Sequence, residues 1–146
     1  MAESAVTNVM SADTFADTNV LAYLVSSDAG RRAVARAVFA GQPVISTQVV
    51  NEFLNVCLRK AKLEREAAHA LATGLMTGCE TRPVTAETVH EAMRIGLRYG
   101  FSHWDALIVA AALAAGCRVL FSEDLQDGQV IDGCLTVVNP FVLSTH

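Results

Sequence analysis

The sequence predicts a three-layer α/β domain in which helices flank a central, mostly parallel sheet. Short apolar runs suited to buried strands alternate with longer helical patterns, and glycine or proline often stands between them. A composition that is 52% hydrophobic and 18% charged is typical of a folded globular chain. At 146 residues, the chain is long enough for one domain with a substantial core.

The predicted elements follow one another in a regular order. Residues 1–13 lack a hydrophobic pattern, so we expect a flexible extension before a single domain over residues 14–146. Apolar runs predict four strands, at residues 14–16, 44–45, 119–121 and 135–138. Helical spacing and capping residues predict six helices: one through Val20, Leu21 and Leu24, then 33–40, about 47 to 60, 65–76, 89–99 and 102–116.

The charge balance argues against a basic groove for nucleic acid, since 11 Lys and Arg face 15 Asp and Glu, a net charge of −4. The longest apolar run, Ala106–Ala115, has ten residues, whereas a membrane span needs about 20. No Lys or Arg precedes Arg31, so a secretory signal is not indicated. We expect a soluble, cytoplasmic protein. Four cysteines without a C-x-x-C pair are predicted to be buried and reduced: Cys57, Cys79, Cys117 and Cys134.

Asp105 is the only charged residue in the apolar stretch Trp104–Ala115. A helix that is apolar on every side is buried on every side, so an ionised carboxylate there is costly unless a partner or a metal compensates it. Ser102 stands three residues earlier. A capping box, in which the carboxylate reaches back to the cap amide, explains this segment equally well.

Two further aspartates, Asp17 and Asp124, follow predicted strands, Asp17 directly and Asp124 after Ser122 and Glu123. If both strands belong to one parallel sheet, both carboxylates lie at its carboxyl edge, where such sheets bind ligands. Each aspartate could instead begin a turn or cap the next helix. Glu52 lies at the border of the apolar face of its helix, with no cation one turn away. By itself Glu52 is more typical of an exposed helical glutamate.

Carboxylates gathered in one pocket repel one another by about 4 kcal/mol for each close pair. Either their pKa values rise or a divalent cation compensates the charge. Oxygen ligands without histidine select a hard ion, Mg²⁺ or Mn²⁺. Such an ion among carboxylates serves phosphoryl chemistry and can hold an anionic substrate on an acidic protein.

The other polar residues give weaker signals. Arg59, Lys60 and Lys62, together with Arg65, form the densest basic cluster, which is typical of a solvated helix end but could contact an RNA backbone. The histidines lack metal-ligand spacing, and only His103 is near a candidate acid. Motifs of the G-x-S-x-G, G-x-x-x-x-G-K-[ST] and G-x-G-x-x-G types do not occur.

Five segments in order resemble the PIN domain and its VapC-type toxin branch. They are FADTNVL at residues 15–21, ISTQVVNEF at 45–53, WDALIVAAA at 104–112, LFSEDLQDG at 120–128 and VNPF at 138–141. Each motif alone is unspecific, whereas five of them in this order and spacing are specific. The resemblance covers about Thr14 to Phe141, nearly the whole chain.

This resemblance implies a Rossmann-like fold and a metal-dependent endoribonuclease. It also implies that the protein acts as a toxin, is neutralised by a small VapB-like antitoxin and forms a homodimer. Carried over by position, the catalytic quartet of the family falls on Asp17, Glu52, Asp105 and Asp124. The three aspartates would hold Mg²⁺ or Mn²⁺, and Glu52 would complete the metal shell or orient the attacking water. Asn19 and Ser122 match supporting polar residues, and Asp127 is a candidate fifth acid.

The alternative to an enzyme is a catalytically silent PIN-like module that binds RNA or a partner protein. The intact quartet favours the enzyme. A phosphatase of the haloacid dehalogenase type would need a D-x-D motif after the first strand, but Thr18 and Asn19 follow Asp17. A response-regulator receiver would need a pair of acids before its phospho-acceptor strand, and the sequence offers none.

Overall fold

The computed structural model describes residues 13–142, which form a six-stranded sheet of order β3-β2-β1-β4-β6-β5. Its strands are β1 (Thr14–Ala16), β2 (Val44–Ser46), β3 (Glu80–Arg82), β4 (Val119–Phe121), β5 (Val130–Ile131) and β6 (Leu135–Val138). All neighbouring pairs are parallel except β5 with β6. The prediction of a mostly parallel sheet is therefore confirmed.

Helices flank this sheet to give the predicted three-layer α/β architecture. They are α1 (Thr18–Leu21), α2 (Ala29–Ala40), α3 (Thr47–Arg59), α4 (Arg65–Gly78), α5 (Ala86–Tyr99) and α6 (His103–Ala114), and a 3₁₀ helix (Ala22–Val25) follows α1. No helix within residues 13–142 is long and apolar enough to cross a membrane. The predicted flexible extension, except for Asp13, lies outside the described residues.

The structure corrects several local predictions. Two strands, β3 and β5, were not predicted, because β3 has a polar sequence and β5 is only the pair Val130–Ile131, which lies between segments rich in Asp and Gly. Helix α2 begins at Ala29 rather than at Ala33, since the Asp28 side chain accepts a hydrogen bond from the Arg31 amide and caps it there. Three of the cysteines are buried as expected, but Cys134 is exposed in the turn between β5 and β6.

Helix α6 has the longest run of buried residues among the helices of the described chain, as its apolar sequence predicts. Every residue from Ala106 to Ala112 is buried, and the helix packs against α5 and β2. Its first turn carries Asp105, which is only half-buried. The buried part of the helix therefore holds the backbone of Asp105 in place, while its carboxyl group faces the edge of the sheet.

Three parallel neighbours, β1, β2 and β4, end at the same edge of the sheet. Asp17 directly follows β1, and Ser122 directly follows β4. At the end of β2, the buried Ser46 hydroxyl accepts a hydrogen bond from the Val49 amide and starts helix α3. That helix carries Glu52, so elements from distant parts of the chain meet at this edge.

Candidate active site

A cavity of about 810 Å³ opens at the carboxyl edge of the sheet. All four acids singled out in the sequence line it: Asp17, Glu52, Asp105 and Asp124. Its lining also includes Glu123, and the only cation in the described lining is Lys60. Glu123 is paired with Arg31, so four carboxylates and one lysine determine the charge of the cavity, and the resulting negative potential favours a cation within it.

Asp17 lies deepest, with only 5% of its surface exposed. Its Oδ1 accepts a hydrogen bond from the Thr18 amide at 2.7 Å, and its Oδ2 accepts one from the Ser122 hydroxyl at 2.9 Å. Burial, together with the smaller effect of the charges of Glu52 and Asp105, raises the pKa of Asp17 to about 7 against the opposing effect of these hydrogen bonds. No ion pair within residues 13–142 involves this carboxyl group.

Asn19 and Ser122 hold Asp17 and the segment after β4 together. The Asn19 amide nitrogen donates to Asp17 Oδ2 at 3.2 Å and to Ser122 Oγ at 3.3 Å. Its amide oxygen accepts a hydrogen bond from the Glu123 backbone at 3.0 Å. The two side chains thus fix the carboxyl group of Asp17 relative to the loop that carries Asp124.

Glu52 is oriented by a residue that the sequence reasoning missed. The Thr18 hydroxyl donates to Glu52 Oε1 at 2.7 Å and so connects α1 with α3. Thr18 directly follows Asp17 and is buried, but threonine is common in the first turn of a helix, so its sequence context does not distinguish it. Its position next to Asp17 was the one available signal.

Asp105 takes part in one half of the predicted capping arrangement and also lines the cavity. Its amide donates to the Ser102 hydroxyl at 3.2 Å, so Ser102 does cap α6, and the carboxyl group nevertheless lines the cavity. Burial raises the pKa of Asp105, a hydrogen bond with Ser102 lowers it, and the charge of Asp124 raises it. Asp124 itself is exposed on the loop after β4.

Tyr23, Arg31 and Glu123 form a second set of contacts that the sequence did not predict. We call this set the brace, because it holds the loop that carries Asp124. The Tyr23 hydroxyl donates to the Glu123 carboxylate at 2.9 Å, and the Arg31 guanidinium contacts the same carboxylate at 2.6 Å. Arg31 also donates to the Tyr23 hydroxyl and lies over the rings of Tyr23 and Phe141. Tyr23 and Glu123 line the cavity, so this brace is part of its wall.

The remaining candidates lie apart from the four acids or at their margin. Asp127 does not line the cavity in the described structure, and its Oδ1 accepts a hydrogen bond from the Asn139 amide at 2.8 Å. Of the basic cluster, Lys60 lines the cavity, whereas Arg59 and Lys62 are exposed outside it. His103 is exposed, and its ring contacts Trp104.

Within residues 13–142, no three His, Cys, Asp or Glu side chains form a closed metal-binding cluster. The carboxyl groups instead line a common cavity, and the charges of Glu52, Asp105 and Asp124 raise pKa values within it. Mg²⁺ is bound in proteins by one or two carboxylates and keeps several waters. An open cavity with oxygen donors and uncompensated negative charge fits such an ion.

Among solved structures, the chain is similar to the VapC20 toxin of Mycobacterium tuberculosis, which is described as cleaving the sarcin–ricin loop. The two share 26% identity with a TM-score of 0.63, over 76% of this chain and 89% of that one. FitAB bound to an IR36 DNA fragment shares 19% identity with a TM-score of 0.65, over 91% and 99% of the two chains. This second likeness concerns the fold alone.

No curated protein matches the chain by sequence. The family model of the PIN domain matches residues 14–126. The matched range contains the three parallel strands that meet at the cavity and all four acids that line it. The resemblance noted in the sequence is thereby confirmed, and the chain belongs to the PIN domain family.

Proposed function

We propose that this protein is a divalent-metal-dependent endoribonuclease that acts as the toxin of a toxin–antitoxin pair in the cytoplasm. The observation that carries the proposal is the meeting of Asp17, Glu52, Asp105 and Asp124 in one cavity at the carboxyl edge of a parallel sheet. Membership of the PIN family and the likeness to the VapC20 toxin support it.

Asp17, Asp105 and Asp124 would hold Mg²⁺ or Mn²⁺. Their donors are all oxygen atoms, which suits a hard cation, and no Lys or Arg within residues 13–142 forms an ion pair with any of them. Asp124 is exposed on a loop and Asp17 is buried, so these two carboxylates differ in their accessibility to solvent. When bound, a divalent cation supplies Lewis-acid activation of water and offsets the charge of the phosphate.

The protein's own groups position the reactants. Thr18 fixes Oε1 of Glu52, so the carboxylate presents a defined second oxygen that can orient the attacking water. Asn19 and Ser122 hold Asp17 in one orientation. The cavity therefore has its hydrogen-bond network assembled before substrate binds, which limits reorganisation during the reaction.

The partners are RNA, a small VapB-like antitoxin and a second copy of the chain in a homodimer. Lys60 lies at the cavity wall and is suited to contact a phosphate of the RNA backbone, with Arg59 and Lys62 further out. The net charge of −4 leaves the metal as the main attraction for an anionic strand at the cavity.

The test is cleavage of RNA by the purified protein with Mn²⁺, with Mg²⁺ or with EDTA. The substrates are pooled cellular RNA and a sarcin–ricin loop hairpin, because the similar VapC20 toxin is described as cleaving that loop. We expect cleavage only when a divalent ion is present. Undiminished cutting in EDTA would contradict the mechanism, and absence of both cleavage and Mn²⁺ binding would favour the catalytically silent module.

The brace around Glu123 leads to a prediction for Tyr23→Phe. This change removes the hydroxyl that donates to Glu123 and accepts from Arg31, so the loop that carries Asp124 is held less firmly. The loss of a hydrogen bond is worth roughly 0.5–1.5 kcal/mol, so we expect the Mn²⁺ concentration for half-maximal cleavage to rise about 2- to 10-fold.

Tyr99→Phe is the matched control, since the Tyr99 hydroxyl bonds Asp132 in a similar way but does not line the cavity. A metal titration of cleavage rate compares the two variants with the wild type. Equal Mn²⁺ requirements in all three proteins would show that the brace does not position Asp124.

A further inference from the structure

A second groove, of about 710 Å³, lies beside the acidic cavity. Gln48, Glu52, Val56 and Trp104 line both spaces, so Trp104 stands on the wall between them. We call this second space the side groove. Its continuity with the acidic cavity means that a chain bound at the carboxylates can extend into it.

Trp104 is unusually exposed for its size, at 65% of its surface. It directly precedes Asp105 in the first turn of α6, so its Cα is about 3.8 Å from that of the acid. Its carbonyl accepts a hydrogen bond from the Gln48 amide at 3.2 Å, and its ring contacts His103 edge to face. The indole is therefore attached to a rigid backbone while much of its surface remains free.

The chemistry of the side groove matches a nucleobase better than a phosphate. Val84 and Leu107 give it apolar surface, and Asn51 and Asn55 provide neutral amides. No Lys or Arg of the described chain lines it. A flat aromatic ring beside neutral donors and acceptors is the arrangement by which proteins bind unstacked bases, whereas phosphates are bound by cations or backbone amides.

We propose that Trp104 stacks on the base next to the phosphate that is cleaved, and that the side groove holds this base. The proposal rests on the ribonuclease function and adds to it a binding position for one base beside the four acids. A base can stack on an indole only when it has left its own helix, so the protein selects single-stranded RNA or an open loop over a duplex. Because every base has an aromatic face, stacking by itself gives little preference among the four bases.

The first experiment measures kcat and KM for a short single-stranded RNA. Trp104→Ala is expected to raise KM about 5- to 100-fold with kcat little changed, since stacking contributes to binding. Trp104→Phe keeps an aromatic face and should restore most of the affinity. Leu97→Ala, which removes an exposed apolar side chain outside both spaces, is the control and should match the wild type.

The second experiment does not need cleavage. Trp104 is the only tryptophan of the chain, so its fluorescence reports directly on stacking. The wild-type protein in Mg²⁺ is mixed rapidly with the single-stranded RNA and with the same sequence as a duplex, and the fluorescence is read before cleavage occurs. We expect quenching by the single strand and much less by the duplex.

The outcomes separate this inference from the proposed function. Cleavage with an unchanged KM in Trp104→Ala overturns the stacking site and leaves the ribonuclease intact. Quenching by single strands without cleavage by the wild type supports the stacking site and overturns the enzyme. Absence of quenching overturns the stacking site. The stacking site is also overturned if Trp104→Ala has an unchanged KM but a different oligomeric state, because Trp104 would then be a contact between copies of the chain.

Discussion

Asp17→Asn and Asp105→Asn are each expected to lower the rate of RNA cleavage at least about 1000-fold. Each change preserves the size of the side chain but removes a negative charge that would hold the metal. A metal ion contributes several kcal/mol to stabilising the transition state, and about 4 kcal/mol corresponds to three orders of magnitude in rate. The measurement is the single-turnover cleavage rate of a defined RNA at saturating Mn²⁺.

Asp127→Asn is the matched control for these two variants. Asp127 follows the same strand as Asp124, but it does not line the cavity, and asparagine can still accept the hydrogen bond from the Asn139 amide. We expect wild-type activity from it. Circular dichroism and melting curves establish that all the variants are folded. Full cleavage by either cavity variant would refute the assigned roles of Asp17 and Asp105.

Without metal, the protein is expected to become less stable as the pH rises from about 4 to about 7. The pKa of Asp17 is about 7 in the folded protein and 3.8 as its ordinary value, so between these pH values the folded state keeps a proton that the unfolded chain releases. The free energy of unfolding therefore falls with rising pH and levels off above pH 7. At about 1.4 kcal/mol for each pKa unit, the loss reaches about 4 kcal/mol.

Urea unfolding in EDTA at several pH values measures this loss. Other acids also titrate, so the informative quantity is the difference between the wild type and Asp17→Asn, which cannot ionise at this position. We expect Asp17→Asn to be the more stable protein at pH 8 and the two to converge toward pH 4. Saturating Mn²⁺ should stabilise the wild type most at high pH, because the ion binds the ionised carboxylates. If the free energy of unfolding changed with pH in the same way in both proteins, ionisation of the buried Asp17 would not be what destabilises the folded state.

Much of the fold was predictable because burial leaves a pattern in the sequence. The four predicted strands are largely apolar, and α6 is apolar from Ala106 to Ala114, so both kinds of segment identify the core. Strand β3 escaped prediction because its residues, Glu80–Arg82, are largely exposed and pair with β2 through the backbone. Strand β5 has only two residues and lies at the other edge. Edge strands need little apolar surface, so composition gives little sign of them.

The candidate site was predictable where a charge conflicts with its surroundings. Asp105 stands alone in an apolar helix, and Asp17 follows a buried strand. The partners of these acids were not predictable, because they are ordinary polar residues brought together by the fold. Tyr23 and Glu123 are 100 residues apart in the chain, and no local pattern links them. Asp127 shows the opposite. It is an acid in the same segment as Asp124, but its carboxylate accepts a hydrogen bond within a loop and does not line the cavity.

The burial of α6 has a consequence for how such a protein can be switched off. Amides from Ala106 to Ala112 lie in the centre of the core, so we expect them to exchange with solvent only when the whole domain unfolds. Asp105 directly precedes this buried stretch in the first turn of the helix, so moving it together with the helix would require the core to open. An inhibitor that distorts the helix would have to overcome the stability of the entire domain. Control of this protein is therefore expected to come from a partner that occludes the mouth of the cavity and leaves the backbone beneath it unchanged.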